Sequence, residues 1–71
     1  MNIYEVHIME RENSQCKFLK DFNNLKDARE FANNQSMIPK NKGKFFLIHQ
    51  KTPWKLIETY SEGICFPGVN L

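Results

Sequence analysis

Asn24-Leu25-Lys26-Asp27-Ala28-Arg29-Glu30-Phe31-Ala32-Asn33-Asn34-Gln35 is the stretch whose reading decides the fold class. At 100° per residue, Leu25, Ala28, Phe31, Ala32 and Gln35 fall inside an arc of roughly 120°. Lys26, Asp27, Arg29, Glu30, Asn33 and Asn34 fill the rest of the circumference. The pattern predicts a one-sided helix from about Asn24 to Gln35, with two alanines that suit it to lie close on a sheet. Asn24 stands at the N-cap position and Asp27 three residues on, a capping box with a shortened acid. Asn33-Asn34-Gln35-Ser36 ends the helix, and Pro39 prevents its continuation.

Outward from this helix the periodicity changes to two. On the N-terminal side, Tyr4, Val6 and Ile8 alternate with Glu5 and His7, which reads as a strand. Arg11-Glu12-Asn13-Ser14-Gln15 is polar and reads as a turn, and Cys16 to Phe22 resumes the alternation. In strict alternation Cys16, Phe18 and Phe22 share one face, with Leu19 on the other. On the C-terminal side, Lys40-Asn41-Lys42-Gly43 is a loop. Phe45-Phe46-Leu47-Ile48 is a continuous apolar run, expected of a central strand buried on both faces or at an interface. Trp54 to Tyr60 is a further strand, with Trp54, Leu56 and Tyr60 on one side and Ile57 on the other. Ser61-Glu62-Gly63 turns into a short strand, Ile64-Cys65-Phe66, which Pro67-Gly68 cuts off. Short connections favour antiparallel neighbours. The expected fold is α+β: an antiparallel sheet of four or five strands with one helix on one face, in the order β-β-α-β-β-β, as a single domain over residues 1–71.

The chain is 71 residues long, 41% apolar, 25% charged and 13% aromatic, with net charge +2. That composition excludes a disordered tail and low-complexity classes. No stretch approaches the roughly 18 consecutive apolar residues of a membrane span. The opening residues lack the charged and apolar regions of a secretory signal, so a reducing, cytoplasmic setting is expected. Cys16 and Cys65 then read as two packed strand thiols, with a disulfide as the alternative. A chain this short gains little from its core beyond the entropy of ordering, and dimerisation is one way to complete it.

Charge is uneven. Residues 1–36 carry net −1 and residues 37–71 net +3, and no acid stands between Glu30 and Glu58. Lys40, Lys42, Lys44, Lys51 and Lys55 fall in that interval together with Trp54. Lysines beside a stacking ring suit either phosphates or an acidic protein surface. Arginine, the residue for bidentate phosphate or guanine contact, is absent there. Gly43-Lys44 is not a phosphate-binding loop, because Ile38 stands where its first glycine would be and Phe45 where its Ser or Thr would be. His7, Cys16, His49 and Cys65 do not form the close pairs of a zinc site, so no metal and no cofactor are expected. Glu5, Glu10 and Glu12 do not make a general acid–base pair on a strand that alternates faces. No enzyme is expected in so small a chain. Eight of the nine aromatics, Phe18, Phe22, Phe31, Phe45, Phe46, Trp54, Tyr60 and Phe66, exceed what one helix can cover, which leaves some for an exposed protein-binding surface.

The layout resembles that of small phage and mobile-element proteins of the anti-CRISPR and anti-defence type, which combine a hairpin, one helix and a further meander. The resemblance lies in the Tyr4-Glu5-Val6 opening, the run from Phe22 through Leu25 and Ala28 to Phe31-Ala32, and Trp54-Lys55-Leu56-Ile57 followed by Ser61-Glu62-Gly63. It is a likeness of architecture over the whole chain and carries no individual site residue. It implies a phage-encoded inhibitor that binds a bacterial host protein or complex. The expected partner-binding set is Lys40, Lys42, Lys44, Lys51, Trp54 and Lys55. The alternative expectation is a small nucleic-acid-binding domain that uses the same lysines with Trp54.

Overall fold

The alternation of Tyr4, Val6 and Ile8 produces strand β1 (Tyr4–Met9), and Val6 is fully buried. It is followed by β2 (Cys16–Phe22), helix α1 (Leu25–Ser36), a short 3-10 turn (Pro39–Asn41), β3 (Phe45–Lys51), β4 (Trp54–Ser61) and β5 (Ile64–Pro67). The computed structural model describes residues 3–11 and 14–67. Glu12 and Asn13 of the first turn, and Gly68 after the last strand, lie outside the described residues.

All five strands form one antiparallel sheet in the order β2-β1-β3-β4-β5. The Phe45–Ile48 run therefore does occupy the centre. The helix is the crossover from β2 to β3: it passes over β1 and packs on β1, β2, β3 and β4. Its Ala28 and Ala32 are fully buried against Val6, Phe46, Ile48 and Tyr60. With only a methyl group at both positions, the helix backbone comes close to the sheet. Tyr4, Ile8, Phe22, Leu25, Phe31 and Ile57 pack around this centre.

Local chemistry sets the helix ends. Asn24 accepts a hydrogen bond from the Asp27 backbone N–H at 2.8 Å, and its side-chain amide donates to Asp27 Oδ2 at 3.0 Å. The acid thus grips the cap's side chain where a longer Glu would reach the cap's backbone. At the other end, Asn41 Nδ2 donates to the Gln35 carbonyl at 2.8 Å. The Gly63 backbone N–H donates to Ser36 Oγ at 3.0 Å. Glu62 and Gly63 both have positive φ, 51° and 77°, as a two-residue turn with right-handed twist requires. This hairpin is thereby tied to the helix end. Arg29 joins the helix to β4 through two hydrogen bonds to Glu58, at 2.9 and 3.1 Å. Tyr60 Oη also donates to Glu58, at 3.1 Å.

Two expectations about faces need correction, and both fail for one reason. Val6 pairs with Lys20 and His7 with Phe18, so Leu19 is an extra residue in β2. Ile48 pairs with Glu58 and His49 with Leu56, so Ile57 is an extra residue in β4. A bulge inserts one residue into the alternation and reverses every side chain beyond it. Phe18 therefore faces away from the helix while Phe22 faces it. Likewise Trp54 and Leu56 face away while Tyr60 faces it. The two bulges flank the central Val6–Ile48 row on either side.

The expectation of packed thiols is also corrected. Cys16 and Cys65 are both free and exposed. They stand on β2 and β5, the two outer strands, which strand spacing separates by about 19 Å across the sheet. A disulfide within one chain needs Cα atoms less than about 7 Å apart. Among the described residues, no helix is long and apolar enough to cross a membrane.

Candidate functional site

One face of the sheet carries the helix; the other carries nothing of this chain among the described residues. Strand parity and register place Glu5, His7 and Met9 of β1 on this open face, beside Phe45, Leu47, His49 and Lys51 of β3. Cys16, Phe18 and Asp21 of β2 join on one side. Trp54, Leu56 and Thr59 of β4, then Ile64 and Phe66 of β5, join on the other. Four of these side chains are large, apolar and strongly exposed: Phe18 54%, Trp54 54%, Ile64 57% and Phe66 44%. Phe46, in the middle of the covered face, is 1% exposed.

Rings from four strands form a band across this face. Trp54 stacks on His49 with centroids 4.7 Å apart and planes 13° from parallel. His49 meets His7 edge to face at 4.9 Å, and His7 meets Phe18 edge to face at 5.7 Å. The band runs β4-β3-β1-β2 without a gap. Both of its ends, Trp54 and Phe18, owe their place to the bulges at Ile57 and Leu19. Unbroken alternation from Tyr60 and Phe22 would have turned both rings under the helix.

Glu5 pairs with two of the cationic or titratable side chains beside the band. Glu5 Oε1 lies 2.9 Å from His7 Nε2, and Glu5 Oε2 lies 3.7 Å from Lys51 Nζ. His49 has its Nδ1 buried without a hydrogen-bond partner. Burial holds its pKa below the ordinary histidine value, His7 adds to the lowering, and Glu5 opposes it. His49 is thus a neutral, part-buried ring near pH 7, which suits a stacking surface. Among the described residues, no three His, Cys, Asp or Glu side chains are placed to hold a metal ion.

The six residues expected to bind a partner do not form one patch. Lys40 lies in the 3-10 turn, and Lys42 and Lys44 lie between it and β3. Lys44 is paired with Glu10 at 3.2 Å. Lys51 and Trp54 stand at the opposite end of β3, seven residues or about 23 Å away. Lys55, opposite Gln50, has the parity of the helix-covered face. The structure thus brings together only Lys51 and Trp54, and it adds His7, His49, Glu5 and Phe18 to them. Those four were not singled out by the sequence as a site. The Glu5-x-His7 spacing was visible, but the pairing of Glu5 with His49 across strands was not.

Comparison with protein-family models, with curated proteins and with solved structures finds no match for this chain.

Proposed function

We propose that this chain is a non-enzymatic interaction protein that binds a bacterial host protein and inhibits or redirects it, with the open sheet face as its binding surface. The phage origin and the anti-defence role follow from the resemblance of the layout to such inhibitors. The observation that supports a binding role is the pair of bulges that turns Phe18 and Trp54 onto a face where no core requires them. Bulges re-aim side chains at functional positions, and each disrupts ladder pairing locally. Exposed aromatics match the centre of protein–protein interfaces.

The lysines support a nucleic-acid role less well. Lys51 is the one lysine on the ring-bearing face among the described residues, and Glu5 already neutralises it. Asp21 adds a further negative charge to that face.

Capture of partners from a bacterial lysate, identified and then repeated with the purified partner, tests the reading with two variant pairs. Binding should be lost with Phe18→Glu/Phe66→Glu and kept with Lys40→Glu/Lys42→Glu. The reverse pattern would move the surface to the basic loop. Salt-dependent retardation of oligonucleotides, or turnover of a small molecule with no stoichiometric protein partner, would overturn the proposal.

A further inference from the structure

We infer that, before any target is engaged, the open sheet face is covered by a second copy of this chain, two sheets packing face to face. The inference rests on the reading of that face as an interaction surface and names its resting occupant.

Three observations carry it. The first is charge. Along the face, Asp21, Glu5 and Lys51 stand toward the β3–β4 hairpin end, and Glu5 and Lys51 already pair within the chain. Beyond them the face holds Phe18, His7, Leu47, Thr59 and Phe66, then Cys16, Met9, Phe45, Ser61 and Ile64, with no Asp, Glu, Lys or Arg among them. An acidic or basic partner gains nothing from these two rows. An identical apolar surface meets no like-charge clash there, and in a two-fold pairing the same patch serves both sides.

The second is area. Five strands at ~4.8 Å spacing and ~3.3 Å per residue give a flat footprint on the order of 500 Å². Protruding rings raise the accessible area above the footprint, toward the ~600–800 Å² per partner of a stable interface. Among the described residues, the buried apolar core of one chain is Val6, Ala28, Ala32, Phe46, Ile48 and Tyr60. That is little for a stable fold of this length, and a second apolar layer would add to it.

The third is the contrast between the face and the sheet's edges. β5 is four residues long and ends at Pro67, and β2 carries Lys17, Lys20 and a bulge. Short length, proline, lysine and bulging all block the addition of another strand. The edges are protected against association and the face is not. Copies therefore meet sheet on sheet, at the ~10 Å layer spacing of a sandwich.

Sedimentation equilibrium of the intact chain from about 1 to 100 µM tests this, with Trp54 fluorescence followed over the same dilution series. The expected species has twice the 8.4 kDa chain mass, and Trp54 emission should shift to the blue as it forms. Phe18→Glu/Phe66→Glu should weaken association on the order of 100-fold, with unchanged circular dichroism, and Lys40→Glu/Lys42→Glu should not. If the double glutamate variant fails to fold, the wild-type Trp54 signal decides. A wild-type monomer at 100 µM, or a dimer that leaves Trp54 emission unchanged, overturns the inference. A monomer that still loses its host partner in the glutamate variant rejects this inference and keeps the functional reading. A dimer whose glutamate variant still captures the partner does the opposite.

Discussion

The two faces of this sheet are built from the same strands and nearly the same residue types, yet they meet opposite fates. Val6, Phe46 and Ile48 lie under α1 and are buried to within 1%, while Phe18, Trp54 and Phe66 on the other side stay about half exposed. Supply of apolar residues does not explain the difference, since both faces are rich in them. Cover does. One helix is about 10–12 Å across with its side chains, about half the width of a five-strand sheet. It packs on β1, β2, β3 and β4 from one side, and Ala28 and Ala32 let it approach. The lesson is that an apolar residue in a small sheet protein becomes core or surface according to which side the single helix takes.

The largest test of that comparison is a matched pair of truncations. Phe46→Ala should cost about 3–5 kcal/mol in denaturant unfolding, through lost transfer energy and a cavity. Phe66→Ala, measured dilute enough to be monomeric, should cost less than about 1 kcal/mol. Equal costs would show that the open face is already packed within one chain. Phe31, half-buried against Phe22 at 5.3 Å, should fall between them.

The closeness of the helix is tested next. Ala32→Leu should destabilise by about 1–3 kcal/mol, because a fully buried methyl has no room beside it for a larger side chain. A neutral result would mean that the helix stands further off the sheet than its burial implies. The helix start comes after that. Asn24→Ala should cost about 1 kcal/mol in thermal unfolding, and Asn24→Asp should restore most of it, since either side chain accepts from the Asp27 N–H.

The smallest effect belongs to the open face and is read by pH. His49 has a folded-state pKa below its unfolded value of about 6.5, with burial as the leading cause. As pH falls below that unfolded value, the unfolded chain takes up a proton that the fold resists. Stability should therefore be full above about pH 6.5, fall as pH drops toward the folded pKa, and level off below it. His49→Gln should flatten this segment of the stability-versus-pH curve. A wild-type curve that rises on acidification would mean that His49 is better solvated than its buried Nδ1 indicates.

Much of the fold was legible because it is written in local period. Leu25, Ala28, Phe31 and Ala32 announced the helix, and Asn24 its start. Tyr4, Val6 and Ile8 announced the first strand, and the unbroken Phe45–Ile48 run the central one. The candidate site was legible only in part. The surplus of aromatics pointed to an exposed surface and Trp54 was singled out, but the lysines drew attention to a loop at the far end of β3. Glu5, His7 and His49 looked like ordinary strand residues because their meeting depends on register between strands far apart in sequence.

What the sequence determined by itself, then, is the kind and order of the elements, since helix and strand periods, caps and turn residues act within a few positions along the chain. Which residues share a face was decided only in the tertiary structure. Leu19 and Ile57 carry no local mark that sets them outside the ladder, and they are bulges because the flanking rows pair as they do across β1 and β3. A single inserted residue reverses the parity of all that follows it. Two such reversals moved Phe18 and Trp54 from beneath the helix to the open face, where they close the ring band with His7 and His49.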